Sequence, residues 1–150
     1  MPLDVPNYLA AQAAYISHVF VRPDLDKLYG IAYSTLMQSL PPRKVVRFLG
    51  GSLAAIRQFP KDARNEAGDQ LLLVQIGEMP EDWKPMPEIG SGSYEIRIHK
   101  PDEYRVIYVA KFPEAIYVLH AYGKKTQKAR QKELEHARRV YAQMLQQRKQ

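Results

Sequence analysis

Residues 93–125, SYEIRIHKPDEYRVIYVAKFPEAIYVLHAYGKK, constrain this chain more than any other stretch. Runs rich in Ile, Val and Tyr are interrupted at Lys100-Pro101-Asp102 and at Phe112-Pro113-Glu114-Ala115. That punctuation predicts three consecutive strands joined by two hairpin connections. With those loops, Arg97 falls opposite Arg105, and Arg105 falls opposite Tyr122 on the third strand. Side chains alternate along a strand. One face then carries Tyr94, Ile96, Ile98, Tyr104, Val106, Tyr108, Tyr117, Leu119 and Ala121, a core face. The other carries Arg97, His99, Arg105, His120, Tyr122 and Lys124 at one end, and Ile107, Val109, Ile116 and Val118 at the other. Two cations directly opposite each other on a sheet repel. The pattern therefore calls for an anion between them.

A chain of 150 residues is long enough to bury a core as one domain with room for an appendage. Its formal net charge of +6 is uneven: residues 1–92 hold 9 Lys+Arg against 10 Asp+Glu, and residues 93–150 hold 13 against 6. The basicity belongs to the sheet and the last helix, and it favours a polyanionic partner, whose counterions each phosphate contact releases. There is no cysteine, which excludes disulfides, thiolate chemistry and cysteine zinc sites. No apolar run is long enough for a membrane span, and no basic segment followed by an apolar one opens the chain. The expectation is a cytoplasmic protein with no membrane association.

Pro41-Pro42 is the clearest boundary. Before it, residues 7–21 and 24–40 suit two helices with Asn7 and Asp24 as N-caps, so residues 1–42 are expected to be a helical extension of unassigned role. After it, Lys44 to Leu49 reads as a strand ended by Gly50-Gly51, and Ser52 as the N-cap of a helix carrying Leu53, Ile56 and Phe59. Lys61 to Ile76 reads as a second helix with Ala63, Ala67, Leu71 and Val74 on one stripe and Gly77 as its C-cap. Residues 78–92 read as a loop, and Trp83, between prolines, as a packing plug beneath it. A last helix from Ala129 to Gln147 turns Leu134, Ala137, Tyr141, Met144 and Leu145 inward. The sum is an α+β domain over residues 43–150.

From Arg43 to about Leu145 the chain resembles the RelE/HigB superfamily of bacterial toxins, and within it the phage-derived HigB-like branch. The resemblance rests on Val46-Arg47-Phe48-Leu49, Leu53 to Phe59-Pro60, Asp82-Trp83-Lys84-Pro85-Met86-Pro87 and Gly90-Ser91-Gly92. It continues through Tyr94-Glu95-Ile96-Arg97, Tyr104-Arg105-Val106-Ile107-Tyr108, Val118-Leu119-His120-Ala121 and Lys124-Lys125-Thr126-Gln127-Lys128. These segments stand in family order over about two-thirds of the chain.

The resemblance implies a RelE-like small domain and a ribosome-dependent mRNA endonuclease, neutralised by a cognate antitoxin of helix-turn-helix, HigA-like type in a toxin–antitoxin oligomer. It implies no metal and no cofactor, because RNA is cut when its own 2′-hydroxyl attacks the adjacent phosphorus. Such an enzyme positions the phosphate, stabilises its charge and moves protons. Arg105 matches the arginine assigned to the scissile phosphate, and Arg97 stands where relatives carry a supporting basic residue. Lys125, with Lys124, falls in the basic motif after the last strand, suited to hold phosphate or protonate the leaving oxygen. His120 and Tyr122 are the acid/base candidates, and Lys128, Arg130, Lys132 and His99 are further RNA contacts. Two departures stand out. Some relatives use a tyrosine inside the final helix, where Lys128 to Glu135 has none, and others a histidine near the C-terminus, where this chain has His136.

Other readings of the same residues compete. Arg97 and Arg105 can pair with Glu95 and Glu103 as surface salt bridges worth at most about 1 kcal/mol each. His120 can be a structural histidine, and Lys124 to Lys132 a solvated helix start. At the level of function, a RelE-fold toxin acting on DNA gyrase (ParE-like) and a non-enzymatic nucleic-acid-binding regulatory subunit are the alternatives.

Overall fold

The computed structural model describes residues 42–150. The helices expected at 7–21 and 24–40, with Asn7 and Asp24 as caps, lie outside the described residues. The elements run β1 (Val46–Phe48), α1 (Ser52–Arg57), α2 (Lys61–Gln75), β2 (Trp83–Pro85), β3 (Ser93–Ile98), β4 (Tyr104–Val109), β5 (Ile116–Gly123) and α3 (Gln127–Arg148). They build an α+β domain around one mixed sheet of order β1-β5-β4-β3-β2, in which only the β1–β5 pair is parallel. None of the helices among the described residues is long and apolar enough to cross a membrane.

Both faces of the sheet are cored. On one, Ile96, Ile98, Val106, Tyr108, Ile116, Val118 and Ala121 pack on Ile56, Phe59, Ala63, Ala67, Leu71 and Val74 of the α1–α2 region. On the other, Ile107, Val109, Tyr117, Leu119 and Tyr122 pack on Leu134, Ala137, Val140, Tyr141 and Met144 of α3. The expected stripe of α2 is buried as read, and α3 buries Val140 besides the expected residues, with Leu145 only partly covered.

The register holds at one end of the sheet and slips at the other. Arg97 pairs with Arg105, and Arg105 with Tyr122, as the hairpin loops predict. Ile107 still pairs with His120, but Tyr108 pairs with Val118, so β5 carries one extra residue there. A one-residue bulge moves every side chain beyond it to the opposite face. Tyr117 and Leu119 therefore lie on the α3 face, not with Tyr108, and Ile116 and Val118 lie on the α1–α2 face. The turn after β1 anchors this spot: the Val118 carbonyl accepts from Leu49 N at 2.9 Å and from Ser52 Oγ at 3.0 Å.

Several local expectations are corrected. Ser52 is not the N-cap of α1; Gly51, at φ 77°, is, and Ser52 is buried with its hydroxyl spent on β5. Residues 78–92 are not wholly loop, because Trp83–Pro85 pairs with β3 as an edge strand too short to show alternation. Trp83 accordingly is no buried plug: it is 40% exposed, its ring edge-on to Tyr94 with centroids 5.4 Å apart. Gly77 does end α2, its N–H and that of Glu78 closing on Val74 and Leu73 in a Schellman arrangement. Helix α3 begins earlier than expected because Thr126 caps it, its hydroxyl accepting from Ala129 N at 3.1 Å.

Candidate active site at the cationic end of the sheet

The ladder places Arg97, Arg105 and Tyr122 in one row across β3, β4 and β5, on the face that α3 covers. Glu95 lies two residues before Arg97 and has the same parity, so it points to that face too. It is 1% exposed, and it is the anion that the facing arginines require. Arg105 Nε stands 3.5 Å from its Oε1 and Arg97 Nε 3.7 Å, while Arg130 Nη2, reaching in from α3, stands 3.8 Å from Oε2. The Tyr122 hydroxyl donates to Oε2 at 3.3 Å.

The ion pairs close into a ring. Arg105 Nη2 meets Glu103 at 2.8 Å, Glu103 and Asp82 each bond one nitrogen of His99 at 2.7 Å, and Asp82 returns to Arg97 at 3.9 Å. Three guanidinium groups, Arg97, Arg105 and Arg130, thus face three carboxylates, Asp82, Glu95 and Glu103, with His99 as the remaining member. The bonds to Glu103 and Asp82 hold the His99 imidazole above its usual range, and His99 together with Arg105 holds the Glu103 carboxyl below its own.

These contacts divide the predicted site residues by what remains free. Arg105 is 7% exposed in its side chain, and every guanidinium nitrogen faces an acceptor: Glu95, Glu103 and, at 2.8 Å, the carbonyl of Tyr104. The pairing with Glu95 and Glu103 read from the sequence is present, but it is buried, not superficial. Arg97 keeps 35% of its side chain exposed and its buried Nε makes no hydrogen bond among the described residues. Arg130 keeps 22%. Lys124, Lys125, Lys128 and Lys132 are exposed at the end of β5 and the first turns of α3, and none has an ion pair among the described residues. His99 is half exposed but engaged by two carboxylates.

The two acid/base candidates sit deeper. Burial, then the Glu95 charge, pushes the Tyr122 phenol well above its usual range, so it serves as a neutral donor to Glu95. Its ring stacks on His120 with centroids 5.5 Å apart. His120 bonds Glu133 of α3 through Nε2, while its Nδ1 is buried without a partner among the described residues. Burial lowers its pKa, against the pull of Glu133. His136 packs on the same ring at 4.4 Å and bonds the Gly50 carbonyl through Nε2 at 3.1 Å. Among the described residues, no group of three or more His, Cys, Asp or Glu is placed to hold a metal ion.

Sequence reasoning passed over Glu95 as the hub and over Glu133. The parity of Glu95 with Arg97 was a usable signal. Nothing local in the sequence linked Glu133 to His120, because that contact depends on how α3 crosses the sheet.

No curated protein matches the sequence. The family of phage-derived Gp49-like proteins (DUF891) matches residues 54–142, a stretch running from within α1 through most of α3 and including every charged residue of the ion-pair ring described above. Members of that family point to the toxin half of a toxin–antitoxin pair and to pairing with an antitoxin. On this match, the chain belongs to the phage-derived Gp49-like family, within the RelE/HigB-type toxin superfamily.

Proposed function

We propose that this protein is a HigB-like mRNA endonuclease acting on the translating ribosome, with residues 43–150 as the toxin domain and a helix-turn-helix antitoxin as its partner. The observation that carries the reading is the convergence of Arg97, Arg105 and Arg130 at one end of the sheet, bordered by four exposed lysines that lack ion pairs among the described residues. A cluster of that kind suits a phosphodiester, whose charge grows as the 2′-hydroxyl attacks. In this reading Arg97 and Arg130 bind the scissile phosphate, their contacts to Glu95 being long enough to yield to a closer anion. Arg105 moves from direct phosphate contact to holding Glu95 and Glu103 in place, because its donors are already engaged. Lys124, Lys125, Lys128 and Lys132 bind the flanking backbone, and Lys125 protonates the leaving 5′-oxygen. The reaction needs no metal or cofactor.

One observation favours a second reading. The guanidinium groups are matched by an equal number of carboxylates, so the cluster can also be a structural ion network in a RelE-fold toxin that acts by protein contact, as on gyrase. Inducible expression in bacteria with mapping of mRNA 5′ ends separates the two. The wild type is expected to produce cuts within translated codons, and a folded Lys124→Ala/Lys125→Ala double variant to lose them. Growth arrest without such cuts refutes the endonuclease reading.

A further inference from the structure

Catalysis by the 2′-hydroxyl needs a proton acceptor, and the two residues of the sheet that suit the role are badly placed for it. Tyr122 spends its buried hydroxyl on Glu95. His120 is 13% exposed in its side chain, with one nitrogen bonded to Glu133 and the other sealed from solvent. Glu133 is the member of that pair with access to solvent, at 34% exposure of its side chain. It stands on α3 three residues after Arg130, and residues three apart on a helix are surface neighbours, about 5–6 Å between Cβ atoms. Arg130 in turn reaches Glu95, next to Arg97. Helix α3 thus presents an arginine of the phosphate cluster and a carboxylate side by side over the same end of the sheet.

We infer that Glu133 is the catalytic proton acceptor and that His120 is the positioning residue behind it. This inference rests on the endonuclease reading. The neutral imidazole donates its Nε2–H to Oε2 of Glu133, which leaves Oε1 for substrate. The 2′-oxygen gives its proton to Oε1 as it bonds to phosphorus, and the bond from phosphorus to the 5′-oxygen breaks. The departing oxygen takes a proton from Lys125. The products are a 2′,3′-cyclic phosphate and a 5′-hydroxyl, and every atom is accounted for. His120 keeps one hydrogen bond throughout, in keeping with a buried ring whose Nδ1 has no partner among the described residues and whose pKa burial lowers. The titratable and charged groups around the pair are Tyr122 from β5 and His136 from α3, both packed on the His120 ring, with Glu95 of β3 bonded to the Tyr122 hydroxyl and Arg130 three residues before Glu133 on α3.

The test is cleavage of mRNA on translating ribosomes by the purified full chain across a pH series, with 5′ and 3′ ends analysed. Wild type is expected to gain kcat as pH rises, as a reaction that needs a free proton acceptor does. Glu133→Gln, folded by circular dichroism, should lose about 10²–10⁴-fold in kcat with little change in KM and no longer show that acid limb. His120→Asn should shift the limb and lower kcat less, because the carboxylate survives without its guide. Should Glu133→Gln fail to fold, Glu133→Asp supplies the readout: a kcat at least about tenfold below wild type with the limb retained supports the inference, and a kcat within about threefold of wild type overturns it. Folded Glu133→Gln cutting within threefold of wild type, or keeping the limb, overturns this inference and leaves the endonuclease reading standing. Absence of cleavage by the wild type removes both.

Discussion

Replacing Arg105 with methionine removes the guanidinium nearest to a carboxylate that has almost no contact with water. Glu95 is 1% exposed, and Arg105, at 3.5 Å, is its closest cation. Breaking a buried ion pair by deleting one partner costs about 3–5 kcal/mol, because the remaining charge stays desolvated. Arg97 and Arg130, at 3.7 and 3.8 Å, still face the carboxylate, which places the expectation at the lower end, about 3 kcal/mol. The Glu103 carboxylate and the Tyr104 carbonyl lose a donor in the same step, but Glu103 is exposed enough to turn to water. In a chain of this length about 3 kcal/mol corresponds to roughly 6–12 °C in melting temperature. The assay is urea unfolding of the full chain, followed by circular dichroism and by fluorescence of Trp83, its single tryptophan, on the edge strand beside Tyr94. Glu95→Gln and the double variant complete a cycle whose coupling should exceed about 1 kcal/mol, since the two residues touch. A loss under about 1 kcal/mol for Arg105→Met, or additive single variants, refutes the view that Glu95 is the anion to which Arg105 is committed. The same arithmetic makes Arg105→Ala a poor probe of catalysis, since lost cleavage and lost folding would coincide.

Three further perturbations follow from named contacts. His99, held above its usual pKa by Glu103 and then Asp82, should titrate above 6.5 by NMR. A raised folded pKa stabilises below the unfolded value, and the gain disappears as pH rises through the folded one, so His99→Gln should lower the urea midpoint at pH 5.5 and leave it unchanged at pH 9. Gly90→Ala drives a Cβ to 2.3 Å from the Tyr141 ring, which must shift and stretch its hydrogen bond to the Ser91 carbonyl. Calorimetry should show a loss of about 1–3 kcal/mol, and an unchanged melting temperature would contradict the packing. Thr126→Ala deletes the cap of α3 and should cost about 1 kcal/mol in urea unfolding, with amide exchange rising first around Gln127 to Ala129.

Much of the domain was legible because its cues are local. The two hairpins follow from Pro101 and Pro113 set between β-branched and aromatic runs, and loop length then dictates the Arg97–Arg105–Tyr122 row. The stripes of α2 and α3 follow from helical period. The bulge in β5 was not legible, because no residue type there demands it. It is stabilised by Leu49 and Ser52, far away in sequence, donating to the Val118 carbonyl. Strand β2 escaped notice for a related reason: three residues carry no period, and pairing with β3 is what makes them a strand.

The site divides along the same line. Sequence alone determined that cations would face each other on a sheet and that an anion had to lie between them, since alternation and like-charge repulsion need no knowledge of the rest of the fold. Only the tertiary structure decided that this anion is Glu95, that Arg105 is spent on it, and that α3 brings Arg130 down onto Glu95 and Glu133 onto His120. Those facts depend on where a helix crosses a sheet and on which charges lose their water, and both are set by contacts between residues distant along the chain.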